Sequence, residues 1–165
     1  MFEPLLPLLS QDYLLVAPDY PGFGLSGTPD RAKWPYTFER IAQTIAGFTE
    51  ALGLDRYSVY LQDYGGPIGF RLAAARPERV QALILQDAVV HEEGLTAVWD
   101  LRRAYWTDRT QNEPAVREGM YSVKAGMARH VGGRPKPELF NPDLWMDEIA
   151  FLRRPGMDAI QLDLV

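Results

Sequence analysis

Val59-Tyr60-Leu61-Gln62-Asp63-Tyr64-Gly65-Gly66-Pro67-Ile68-Gly69 is the stretch whose reading decides the fold. An apolar run delivers an acidic residue onto a turn of small residues, and helical spacing follows at once. The run Tyr57 to Gln62 predicts a strand buried on both faces. Ile68, Leu72 and Ala75, with Phe70 and Ala73 beside them, predict a helix that stops before Pro77. The intervening turn is tight, so the residue two beyond the acid must be small, and Gly65 meets that need. Asp63 is thereby placed at the carboxyl end of a strand and the amino end of a helix, where the helix dipole and free backbone N–H groups favour negative charge. Asp is also a common turn former, so these residues alone leave a purely structural role open.

Working outward, Val80 to Gln86 reads as another strand, and Tyr13 to Ala17, closed by Pro18, as an earlier one. Phe38, Ile41, Ala42, Ile45, Phe48, Thr49 and Leu52 recur at intervals of three and four, which predicts an amphipathic helix ended by Gly53. Asp19 to Gly27 is dense in Gly and Pro and must be a loop, and Leu5 to Leu9 reads as the end of a short helix. Strand, helix, strand, helix, strand at this spacing means an α/β fold with a parallel sheet and right-handed crossovers. After His91 the pattern changes. Gly94 to Val165 reads as helices rich in Trp and Tyr, broken at 132–137 and 155–156, with no good strand. The expected organisation is a core over residues 1–93 and a helical cap over 94–165.

Composition narrows the function. At 165 residues the chain is the size of one domain, and its net charge of −5 argues against binding nucleic acid by charge. With no cysteine, a disulfide framework, a thiolate zinc site and a cysteine nucleophile are excluded. Two histidines, His91 and His130, make a histidine-rich metal site a poor expectation. The apolar runs are strand-sized and the start lacks a basic region and cleavage site, so neither a membrane span nor a signal peptide is expected, and the cytoplasm is the default location. The serines, Ser10, Ser26, Ser58 and Ser122, sit on no strand–turn–helix, which counts against a serine nucleophile. Gly65-Gly66-Pro67-Ile68-Gly69 does not have the spacing of a dinucleotide fingerprint. The oligomeric state is left open.

Three segments in order carry a resemblance: Val16-Ala17-Pro18-Asp19-Tyr20-Pro21-Gly22-Phe23-Gly24-Leu25-Ser26, then Gln62-Asp63-Tyr64-Gly65-Gly66, then Ala75-Arg76-Pro77-Glu78-Arg79-Val80. Together they resemble the α/β-hydrolase family, within it the branch with an aspartate nucleophile, the haloalkane dehalogenases and epoxide hydrolases. The likeness covers residues 1–95 well and the cap loosely. It implies a partial α/β-hydrolase fold, a mostly parallel sheet with crossover helices plus a helical cap, acting on a small apolar molecule without a metal or organic cofactor. Asp63 would be the nucleophile, attacking carbon to form an ester that water then cleaves with a histidine as general base. The backbone N–H of Tyr64 would help to stabilise the oxyanion. Dehalogenases usually carry Trp where this chain has Tyr64.

Asp87 ends the strand after the elbow. By the same resemblance it would be the acid that orients the histidine, or else it caps the turn at His91-Glu92-Glu93. Asp19 is expected to hold the Pro21–Gly24 loop. In the cap, Tyr105 and Tyr121 are candidates to activate an epoxide oxygen, and Trp106 or Trp99 to hold a halide, although aromatics at helical spacing are also ordinary core. The family's His-Gly loop and late histidine have no counterpart here; His91 reads as a loop or hinge residue and His130 as solvent-facing. The chain therefore reads as a fragment, and a non-catalytic piece is an alternative to a hydrolase. In the family another strand lies between the one ending at Ala17 and the one ending at Gln62. Those two would stand roughly 9–10 Å apart across an empty slot, so the isolated chain is not expected to be a stable monomer.

Overall fold

The computed structural model describes Phe2 and residues 4–165. They fall into two compact units, Pro29–Val116 with Ala159–Val165, and Met1–Thr28 with Arg117–Asp158.

The first unit is built on β1 (Tyr57–Gln62) and β2 (Val80–Gln86), which pair in parallel. The register runs from Ser58 opposite Ala82 to Gln62 opposite Gln86, after an irregularity next to the first pair, Tyr57 with Val80. The crossover between them is α3 (Gly65–Ala75), followed by a 3₁₀ turn at Pro77–Arg79. α3 lies on β1, and α2 (Phe38–Ala51) lies on α3. Their shared interior includes Ile41, Ala42, Leu61, Ile68 and Leu72, all buried. The approach of α3 to β1 depends on Gly69: any Cβ there would fall on a methyl of Leu61. α2 starts where Thr37 accepts a hydrogen bond from the Arg40 N–H, and it ends at Gly53, whose φ of 66° suits glycine. Beyond β2 come 3₁₀ turns at Glu92–Gly94 and Ala97–Trp99, then α4 (Asp100–Thr107) and α5 (Arg109–Tyr121), which runs on into the second unit.

α8 (Met157–Leu164) returns the chain end to the first unit, where Ile160, Leu162, Leu164 and Val165 are buried. There Arg31 grips Asp163 with two hydrogen bonds of 2.7 and 2.6 Å. Beside this fork the buried Tyr36 hydroxyl donates to the Pro29 carbonyl at 2.8 Å. Burial pushes the Tyr36 pKa up, with Arg31 opposing and Asp163 adding to the rise.

The second unit holds α1 (Leu6–Leu9), the loop around residues 19–27, α6 (Val123–Val131), α7 (Asp143–Leu152) and the start of α8. Asp19 organises the loop as expected: its carboxylate accepts from the Leu25 N–H at 2.8 Å and occupies the space a side chain at Gly24 would need. Burial raises the pKa of neighbouring Tyr20. α6 packs on α7 through Gly126, whose missing side chain leaves room for Ile149.

One expected strand does not form. Tyr13 to Ala17 carries no strand hydrogen-bond ladder, and Leu14 is 82% exposed. A strand exists only through a paired neighbour, and no strand pairs with this run among the described residues. The sheet of the described residues therefore has two strands rather than three. Among the described residues no helix is long and apolar enough to cross a membrane.

Candidate active site

β1 ends at Gln62 and α3 begins at Gly65, so Asp63 and Tyr64 alone make the turn. Asp63 has φ 48°, in the left-handed region that costs an ordinary L-residue about 1–2 kcal/mol. The turn is closed by the Gly66 N–H, which donates to the Asp63 carbonyl at 2.9 Å. Tyr64 directly precedes α3 with φ −60° and ψ −19°, which puts its N–H at the amino end of the helix, where backbone donors have no intrahelical acceptor. Its ring meets Phe38 of α2 edge to face, with centroids 5.2 Å apart. The sequence places Phe38 on a helix but not against Tyr64, because a contact across 26 positions leaves no local signal.

β2 ends in the same way. Asp87 follows Gln86 with φ 45°. Gln62 and Gln86 are register partners, so the two acids leave the same end of the sheet on neighbouring strands, whose spacing is about 4.8 Å. Both acids are exposed. The Tyr60 hydroxyl on β1 donates to the Gln86 side-chain oxygen, joining the strands just behind them. The first turn of α3 rests on the segment that leaves Asp87: a Cβ at Gly66 would lie 3.0 Å from the Ala88 Cβ and 3.2 Å from the Val89 carbonyl oxygen. Among the described residues the Glu92–Gly94 turn begins at His91 without a side-chain cap hydrogen bond.

The structure thus brings Asp63, Tyr64 and Asp87 together at one sheet end. Tyr105 and Trp106 lie on α4 in the same unit. Tyr105 is buried, with the Arg109 guanidinium 5.1 Å from its ring centre. Trp106 is 42% exposed, and its ring centre is 6.3 Å from that of Trp99. Tyr121 belongs to the other unit. His91 is exposed in the loop after β2. His130 corrects the sequence reading: it does not face solvent freely, because its Nε2 lies 2.8 Å from Glu148 of α7, which also pairs with Arg129. A carboxylate one helix away attracts the imidazole, and nothing in the α6 sequence announces it. Among the described residues no three His, Asp or Glu side chains gather as metal ligands would.

Residues 1–122 match the family described as the alpha/beta hydrolase fold. An uncharacterised hydrolase of Saccharomyces cerevisiae, YNR064C, is 32% identical over 169 residues, covering 99% of this chain and 57% of the yeast protein. Haloalkane dehalogenase 2 of Mycobacterium tuberculosis is 39% identical over 85 residues, covering 52% of this chain and 29% of that enzyme. Among solved structures, Cfl2 of Burkholderia cenocepacia superposes with a TM-score of 0.75 at 24% identity, covering 98% of this chain and 56% of its own. A Pseudomonas aeruginosa protein provisionally named an epoxide hydrolase gives a TM-score of 0.75 at 22% identity, covering 96% and 55%. At such identities the two structures speak for the fold alone. The chain spans little more than half the length of the yeast protein and of these two structures, and less of the dehalogenase.

Proposed function

We propose, from the premise that the chain belongs to the alpha/beta hydrolase fold family, that Asp63 is the nucleophile of a hydrolase working through an aspartyl ester. The observation that carries this reading is the left-handed backbone of Asp63, set between the last residue of β1 and the first turn of α3. Such strain persists only where the surroundings impose it, and it is concentrated at functional sites. Here it holds a carboxylate at the end of a strand and at the amino end of a helix.

In this reading an Asp63 oxygen attacks an electrophilic carbon of a small apolar halide or epoxide. The carbon–halogen or carbon–oxygen bond breaks, and an ester joins the substrate carbon to Asp63. Water then attacks the ester carbonyl, the Tyr64 N–H stabilises the oxyanion that forms, and its collapse breaks the acyl–oxygen bond, releasing the alcohol and restoring the Asp63 carboxylate. Asp87, on the neighbouring strand end, orients the histidine that takes the proton from that water. Neither exposed His91 nor His130, engaged with Glu148, is assigned that part. The assignment of residues 1–93 as core and 94–165 as cap, with Tyr105 and Trp106 as substrate contacts, belongs to the same proposal.

The test, made on the full-length parent protein that supplies the histidine, is turnover in isotopically labelled water on panels of haloalkanes and epoxides. Attack of water on the ester leaves ¹⁸O in the Asp63 carboxylate after repeated turnovers, so mass spectrometry of the peptide containing residue 63 should find the label. Asp63→Ala should abolish halide or diol release while the far-ultraviolet circular dichroism is unchanged. Label confined to the product, with Asp63→Ala still active, would assign the chemistry elsewhere. Failure of every substrate would favour the non-catalytic alternative.

A further inference from the structure

We propose that Arg102 is a receiver for the carboxylate of a small ligand, which gives the substrate of the strand-end site a chemical class. The word substrate rests on the hydrolase reading; the binding does not.

Trp99, Arg102 and Trp106 are three and four positions apart, which sets them along one face of α4 and the residue that precedes it. The Arg102 guanidinium carbon lies 4.4 Å from the centre of the Trp99 ring. Arg102 is half-buried, and its Nε lies below the surface with no hydrogen-bond partner. No hydrogen bond or ion pair joins its terminal nitrogens to any described residue. The next residue shows the contrast. Arg103 donates to the Asp100 carboxylate at 2.8 Å, to the Leu95 carbonyl at 2.9 Å and to the Thr96 carbonyl at 3.3 Å. The acid of the first helical turn is therefore already engaged.

A guanidinium keeps its charge at any physiological pH and carries five donors in a planar fork. Half-buried polar groups normally find acceptors. In a chain with an excess of acidic residues, a half-buried cation that no described carboxylate meets points to an acceptor from outside the chain. The Trp99 ring holds the guanidinium carbon, and the terminal nitrogens, which no described residue engages, can supply the two parallel donors of a carboxylate contact. Trp106, tilted beside Trp99 and 42% exposed, offers apolar surface for the rest of such a ligand. Arg154 also lies on an aromatic ring, that of Phe151, but one of its terminal nitrogens already meets the Met157 sulfur at 3.6 Å.

Arg102 belongs to the same unit as the strand-end acids. Val89, two residues beyond Asp87, touches the first turn of α3 at Gly66 and packs at 3.0 Å against the position a Gly94 side chain would take. Arg103 then ties α4 to Leu95 and Thr96 directly after Gly94. A short series of contacts therefore fixes α4 to the segment leaving Asp87.

The experiment titrates the protein with phenylacetate and with phenylacetamide, its uncharged isostere, at constant ionic strength. Calorimetry and tryptophan fluorescence report binding without any turnover. Phenylacetate should bind saturably, and the amide at least about 10-fold more weakly, because it cannot accept a charge-assisted fork. Arg102→Met should weaken phenylacetate at least about 10-fold, and Arg102→Lys should recover part of the loss. If the Met variant fails to fold, the acid–amide comparison in the parent protein still decides. No saturable binding, equal affinity for acid and amide, or full affinity in a folded Arg102→Met variant would overturn the proposal. Turnover of neutral halides without phenylacetate binding would remove this inference and leave the hydrolase reading standing. Phenylacetate binding without turnover on any panel would do the reverse.

Discussion

Leu61-Gln62-Asp63 and Leu85-Gln86-Asp87 are the same three residues at the same end of two paired strands. Both acids adopt left-handed backbones, at φ 48° and 45°. What surrounds them differs. Leu61 is 1% exposed beneath α3, whereas Leu85 is 55% exposed. After Asp63 come Tyr64, Gly65 and Gly66, and a helix begins; after Asp87 come Ala88, Val89 and Val90, and the chain runs on irregularly. An apolar strand that ends in an acid is therefore not enough to make an elbow. The small residues behind the acid decide whether a helix can start there, and the helix in turn supplies both the cover over the strand and the N–H groups beside the carboxylate.

The most severe test of that difference is activity. If the helix behind Asp63 makes it the nucleophile and Asp87 only supports a histidine, the two substitutions must differ in rank. Asp63→Ala should lower turnover by at least about 10⁵-fold, as loss of an attacking group does. Asp87→Asn should lower it by about 10²–10⁴-fold, the range of an acid–base contribution. Initial rates of halide or diol release by the full-length parent protein measure both. Equal losses would dissolve the distinction, and a larger loss at Asp87 would reverse it.

The two leucines make the comparison energetic. Leu61→Ala empties space between β1 and α3 and should destabilise by about 2–5 kcal/mol, read as a lower urea midpoint. Leu85→Ala removes a side chain already more than half in solvent and should cost less than about 0.5 kcal/mol. The exposure of β2 has a second consequence. Leu83, Ile84 and Leu85 together expose an apolar strand, so Leu85→Lys should reduce concentration-dependent light scattering without lowering the urea midpoint.

The same contrast explains what could be read from the residues. The spans of α2 and α3 were legible from their helical periods and from Gly53 and Pro77, and those of β1 and β2 from their apolar runs, but β1 is not buried on both faces as expected: only its Leu61 is buried, because among the described residues it has one paired neighbour and one covering helix. The turn at Asp63 was legible because a tight strand-to-helix passage requires small residues. Tyr13 to Ala17 has the composition of a strand, but composition cannot supply the neighbour that a ladder needs, and its exposed side chains record that lack. Asp87 was recognisable as an acid at a strand end, but its left-handed backbone was not. Aspartate followed by Ala88 and Val89 carries no glycine signal, and the packing of α3 on those two residues joins segments that are distant in sequence. The pairing of His130 with Glu148 was hidden for a similar reason, since it joins two helices 18 positions apart.

Position three after each acid offers a finer test. Gly66 is buried, and a Cβ there would stand 3.0–3.3 Å from Ala88 Cβ and the Val89 backbone. Alanine is favoured in a helix by close to 1 kcal/mol over glycine, yet backbone atoms at that distance cannot move aside cheaply. Crowding should win, with Gly66→Ala destabilising by about 1 kcal/mol net. Val90, the equivalent position after Asp87, is 39% exposed, and Val90→Ala should shift the urea midpoint by less than half as much. A stabilised Gly66→Ala variant would show that α3 and the segment after β2 are free to separate.

The smallest effect belongs to the bond that joins the two strand ends. The Tyr60 hydroxyl donates to the side chain of Gln86, one residue before Asp87, on the face that carries Ile84. Tyr60 is 42% exposed, so in Tyr60→Phe water can take up the freed Gln86 oxygen, and the loss should be at most about 0.5 kcal/mol. Turnover should change by less than about 2-fold if the packing of Gly66 against Ala88 and Val89 is what holds Asp87 in its left-handed turn. A 10-fold loss of turnover with little loss of stability would mean that the hydrogen bond, not the helix, sets the second acid. The two strand ends would then be coupled side by side through β1 and β2 rather than through α3. Measuring both quantities on the same variant separates these cases, because solvent can replace the bond's energy but not its constraint on where Gln86, and with it Asp87, is held.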